Sequence, residues 1–122
     1  MYKINVTTSF SGAHLLKGYA GECQNLHGHN WKIRVQLCSE KVDHVGMAID
    51  FKIVKEHLSE LIAIFDHKYL NELPFFTEQN PTSENIAKVI YDHLQMSVEK
   101  DNIKLTEVEI WESDFTSVIY CK

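Results

Sequence analysis

Cysteine, proline, glycine and long apolar runs are all scarce in this chain, and basic charge is in deficit. Among 122 residues there are three cysteines, Cys23, Cys38 and Cys121. So odd and sparse a set does not make the disulfide framework of a small secreted domain, and a reducing, cytoplasmic setting is expected. Both prolines fall in the stretch 71–81, which reads as a loop. No run approaches the roughly 18 apolar residues of a membrane span. The first residues, Met1-Tyr2-Lys3-Ile4-Asn5-Val6, lack the continuous apolar core of a signal peptide. Twelve basic against seventeen acidic residues give a formal net charge of −5. That balance argues against nucleic-acid binding, which shows as a basic face. A small anionic substrate remains compatible, because it needs only a local positive pocket.

What is present is enough for one compact domain over 1–122, since 44% of the residues are hydrophobic. A domain of this size is modest, and association with further copies could bury more surface. Tyr2, Ile4, Val6, Thr8 and Phe10 alternate with polar residues, as do Trp31, Ile33, Val35 and Leu37, predicting two half-buried strands. From Asp50, a candidate N-cap, the period becomes helical through Ile53, Val54, His57, Leu58, Leu61, Ile62 and Phe65. Thr82 or Ser83 caps a second helix with the stripe Ile86, Val89, Ile90, Leu94 and Ser97. Strands through Val108 and Ile110 and over 117–121 complete the order β-β-α-α-β-β. That order predicts an α+β fold, an antiparallel sheet with helices on one face.

Seven histidines are many for so short a chain. His27 and His29 stand two apart and share parity with Trp31, Ile33, Val35 and Leu37, so they point to the apolar side of their strand. His14 shares parity with Ile4, Val6 and Phe10, provided no bulge intervenes near Gly12. Three imidazoles on the inner side of adjacent strands make a three-nitrogen metal site. Zinc suits such a set and keeps a fourth position for water or substrate. Two other readings share the pattern: hydrogen-bonded core histidines, and a closed structural site with Cys23 as fourth ligand. His44, His57 and His93 have no such grouping.

Glu112 continues the parity of Val108 and Ile110 and should face inward, where a carboxylate needs a mate. It either reaches solvent at the strand end or binds an amidine-like N–H edge of a ligand in bidentate fashion. Asp66-His67, at the end of the first helix, is either an oriented acid–base pair or an ordinary helix-end histidine.

Several segments, taken in order, resemble the 6-pyruvoyltetrahydropterin synthase family. They are Phe10-Ser11-Gly12-Ala13-His14, the run from Cys23 to His29, Gly46-Met47-Ala48-Ile49-Asp50-Phe51, the run from Phe65 to Asn71, the run from Asn80 to Asn85, and Trp111-Glu112. The resemblance spans nearly the whole chain and implies the tunnelling fold, in which sheets of several subunits close a barrel. It implies a homo-oligomer, a hexamer, with active sites between subunits. It further implies zinc on His14, His27 and His29, Cys23 as general base, and Asp66 and His67 assisting proton transfer. Glu112 would anchor the pterin ring, with help from Thr82 and Ser83. Three residues separate Cys23 from His27, a gap similar to the bacterial 6-carboxytetrahydropterin synthases. These act on dihydroneopterin triphosphate and cleave its side chain, whereas the 6-pyruvoyl enzymes retain all three side-chain carbons. Leu15 departs from the bacterial pattern, where arginine follows the first histidine, which leaves phosphate binding to Lys17 or another basic residue.

Overall fold

A computed structural model describes all 122 residues. Strands β1 (Tyr2–His14) and β2 (His27–Ser39) pair antiparallel over their full lengths, from Tyr2↔Ser39 to His14↔His27, with no slip. Alternation therefore holds through Gly12, and the parity that places His14 inward is preserved. Helix α1 (Phe51–Ile62) starts where Asp50 accepts the Lys52 N–H, and α2 (Ser83–Val98) where the Thr82 hydroxyl accepts the Asn85 N–H. Strands β4 (Lys104–Ser113) and β5 (Thr116–Cys121) form the closing hairpin.

One element is additional to the sequence-based expectation. A two-residue strand β3 (Lys68–Tyr69) pairs parallel to β1 at Gly12 and Ala13, so the sheet has five strands in the order β3-β1-β2-β4-β5. The sheet is open within one chain. Inward residues of β1, β2 and β4, including Phe10, Trp31, Val35, Val108 and Ile110, join both helices in one apolar cluster. The opposite face is polar, and there Arg34 donates to Glu107 and Glu109 at 2.8–3.0 Å. The α+β architecture with two helices on one sheet face follows. No helix is long and apolar enough to cross a membrane.

The helical stripes are narrower than their periodicity suggests. On α1 only Val54, Leu58, Leu61 and Ile62 are buried, and Ile53 is exposed. On α2 the stripe ends in Val98, and Ser97 lies outward. Phe65 is fully buried but lies in the turn after α1, tilted against Phe10 and stacked on Phe75 with ring centroids 5.6 and 5.8 Å apart. Phe65→Ala is expected to cost about 3–5 kcal/mol of stability, read as a lower urea midpoint at unchanged slope. A loss under 1 kcal/mol would mean the aromatic cluster closes over the gap.

Candidate metal centre and active site

The antiparallel pair β1–β2 brings His14 opposite His27, with His29 one inward position further along β2. His14 is 1% exposed, and its Nδ1 lies 2.7 Å from the Pro81 carbonyl oxygen. His27 Nδ1 lies 2.7 Å from the Asn25 carbonyl oxygen. A carbonyl only accepts, so in each neutral ring the proton sits on Nδ1 and the Nε2 lone pair is free. The two Nε2 atoms nevertheless stand 2.9 Å apart. Two facing lone pairs at that distance repel unless a cation lies against both. His29 Nε2 is buried without a hydrogen bond of acceptable geometry, although Glu112 Oε1 is 3.2 Å away. His14, His27, His29 and Glu112 offer ligand atoms all within 4.8 Å of one another. The donor set thus fits a metal ion, and carbonyls that fix the outer ring nitrogens are the usual support of imidazole ligands.

Burial pushes the pKa of His14 down, more than the Pro81 carbonyl and Glu112 raise it, and burial likewise lowers that of His29. Both rings are held neutral, the form that binds metal. An imidazole whose folded value lies below its ordinary value of about 6.5 stabilises the fold fully above that value. This stability is lost as pH falls through the lowered folded value. Chelator-treated protein should therefore keep a constant Tm above about pH 6.5 and lose Tm on acidification below it. A Tm that is flat or rises between pH 6.5 and 5 would contradict the lowered values.

Cys23 lies in a short 3₁₀ turn (Glu22–Gln24), half-buried, its carbonyl accepting the Leu16 N–H at 2.8 Å. It is not among the groups that converge on the possible metal position, where Glu112 is the fourth. The Asp66–His67 pair is built by β1. Asp66 Oδ1 accepts the Ser11 N–H at 3.0 Å and lies 2.9 Å from His67 Nδ1. The His67 N–H returns to the Ser11 carbonyl at 2.6 Å, with His67 held at φ 57°, a strained position for a residue with a side chain. The Ser11 N–H, and then His67, hold the Asp66 carboxyl below its ordinary value. The His67 ring is 81% exposed and opens, with Ser11, Asn30 and Lys68, on a cavity of about 490 Å³. No hydrogen bond joins Cys23 or His67 to the histidine cluster within the chain.

A second cavity of about 260 Å³ is lined by His14, Thr82, Ser83, Glu112 and Val118. Thr82 is occupied as the α2 cap, whereas Ser83 carries no side-chain hydrogen bond.

Two asparagines were not legible as site residues. Asn71 accepts from the Leu15 N–H and donates to its carbonyl, and Asn80 does the same for Lys17, at 2.8–3.0 Å. Each amide behaves like one residue of a neighbouring strand, clamping the segment that leads from His14 to Cys23. Both stand in segments that carry the family resemblance, but no periodicity distinguishes them.

Residues 3–122 match the family model described as 6-pyruvoyl tetrahydropterin synthase. A chain of Archaeoglobus fulgidus, provisionally named 6-carboxy-5,6,7,8-tetrahydropterin synthase, is 43% identical over 91 residues, covering 75% of this chain and 74% of its own. The 6-carboxy-5,6,7,8-tetrahydropterin synthase of Synechocystis is 37% identical over 100 residues, covering 78% and 76%. Among solved structures, the 6-pyruvoyl tetrahydropterin synthase of Caenorhabditis elegans superposes with a TM-score of 0.90 at 28% identity, over 99% of this chain and 95% of that one. The ordered motifs, the fold and the near-complete match agree, and the chain belongs to the 6-pyruvoyl tetrahydropterin synthase family.

Proposed function

We propose that residues 1–122 form one zinc-dependent 6-carboxy-5,6,7,8-tetrahydropterin synthase domain. The reaction converts 7,8-dihydroneopterin triphosphate and water to 6-carboxytetrahydropterin, acetaldehyde and triphosphate. The observation that carries the proposal is the convergence of three imidazoles and Glu112 beside a cavity of about 260 Å³. The short Cys23–His27 spacing and the names of the two relatives above support the carboxy product over the pyruvoyl one.

His14, His27 and His29 would hold the zinc ion. When bound, zinc supplies Lewis-acid chemistry, making substrate hydroxyls more acidic and stabilising negative charge. The chain's own residues do the rest. Glu112 accepts the N–H edge of the pterin ring, and the free hydroxyl of Ser83, beside the capping Thr82, helps to hold it. Cys23 takes and returns protons on the substrate side chain, the work of a general base. Asp66 holds the His67 ring by its Nδ1–H, leaving Nε2 to pass a proton on.

Cys23 and His67 are not joined to the histidines inside one chain. In this reading, which rests on the family resemblance, the complete site forms between copies in a homo-oligomer, a hexamer, in a cytoplasmic setting. The open sheet, with β5 unpaired on one edge, is compatible with closure by neighbouring copies.

The alternative is triphosphate elimination without side-chain cleavage, favoured by the close superposition on the C. elegans 6-pyruvoyl enzyme. Mass spectrometry of products from zinc-loaded protein and dihydroneopterin triphosphate separates the two. A 6-carboxytetrahydropterin with acetaldehyde is expected. A 6-pyruvoyl product would move the protein to the alternative, and unchanged substrate would sink both.

A further inference from the structure

Glu112 has two claims on one carboxylate. It is the odd residue of a bulge between the Trp111↔Ser117 and Ser113↔Thr116 pairs of β4 and β5. Its backbone stands outside the regular ladder, a device that re-aims a side chain. Its Oε1 lies 3.2 Å from both His14 Nε2 and His29 Nε2, and the side chain is 34% exposed. Ligand atoms about 2.0–2.2 Å from a tetrahedral ion stand about 3.3–3.6 Å from one another. Oε1 therefore stands from His14 and His29 at about the spacing of two atoms that could share one ion. Glu112 is also the one carboxylate of the cluster, a charge that imidazoles do not supply to a divalent cation.

We propose that Glu112 is itself the fourth metal ligand of the substrate-free protein, and that it leaves this position when its carboxylate takes the pterin ring. The second half rests on the function proposed above. The same carboxylate lines the cavity of about 260 Å³ with His14 and Ser83, so a ring entering there meets Glu112 directly. A carboxylate accepting two N–H groups in bidentate fashion uses both oxygens. It cannot also keep Oε1 on the metal. The open coordination position then exists only while a ring is bound, which bars stray anions and water from the metal between turnovers.

Cobalt(II) reports its own coordination by visible absorption. Chelator-treated wild type and Glu112→Gln are titrated with Co²⁺, without and with pterin lacking any 6-substituent, whose ring carries no side-chain hydroxyl. Ring binding is followed separately by quenching of pterin fluorescence. Wild type is expected to hold Co²⁺ at least about tenfold more tightly than Glu112→Gln, the least that loss of a supporting group costs a metal site. Its visible band should differ from the variant's and should shift when pterin binds. Equal affinity and an identical band in the two proteins would overturn the proposal, whatever the turnover result. If Glu112→Gln does not fold, wild type alone decides, and a band unmoved by bound pterin overturns it. A Glu112-dependent band in a protein that leaves dihydroneopterin triphosphate unchanged would instead sink the proposed function and keep Glu112 as resting ligand.

Discussion

Cys23→Ala should lower turnover of dihydroneopterin triphosphate by about 10²–10⁴-fold, the usual cost of removing a positioned proton-transfer group, while the protein keeps its metal. The groups that can reach a common ion are His14, His27, His29 and Glu112, and Cys23 is not one of them. Its turn is pinned by backbone, through the Leu16 N–H, so removal of the thiol leaves the loop in place. Metal content by atomic absorption and product formation by mass spectrometry are read on the same sample. Loss of metal together with activity would return Cys23 to the ligand set and favour a closed structural site. Retained activity would leave the proton transfers without their proposed base.

His27→Ala should weaken metal binding by more than about 100-fold, beyond the 10–100-fold lost when an outer partner of a ligand is removed. His27 lies toward the rim of the cluster, whereas His14 is wholly buried against Trp31 and Pro81. The substitution therefore tests the metal with little damage to the core. Its Nε2 also relieves a definite strain by leaving, since it faces the His14 Nε2 lone pair at 2.9 Å. Chelator-treated His27→Ala should accordingly be no less stable than chelator-treated wild type. Competition with a chromophoric chelator measures the affinity and thermal melting the stability. An affinity within a few-fold of wild type would exclude His27 as a ligand.

Much of this site was legible because strand parity is a local property. Every residue from Tyr2 to His14 pairs in unbroken register with β2, so inward positions counted from the apolar residues extend without error to the histidines. Asp50, and Thr82 or Ser83, were legible as candidate caps for a similar reason, since capping involves residues two or three apart, and the structure selects Thr82. The misreadings fall where burial depends on a distant neighbour. Ile53 has helical spacing but nothing packed over it, and Phe65 is buried by Phe10 and Phe75 after the helix has ended. Strand β3 is two residues long and exists through its pairing with Gly12 and Ala13. No pattern within Lys68-Tyr69 could announce it.

The sequence by itself determined the inward set of β1 and β2 and the two helix starts, because each depends on period and neighbours along the chain, whereas Glu112 stands in a bulge outside the regular ladder. Only the tertiary structure decided that Glu112 meets His14 and His29, that Pro81 fixes the His14 tautomer, and that Ser11 aligns Asp66 with His67. Those contacts require β4 beside β2, the loop before α2 brought against the end of β1, and the turn after α1 returning to the strand. They join residues up to about a hundred positions apart, and which of many distant partners meet is settled by how the whole apolar cluster closes.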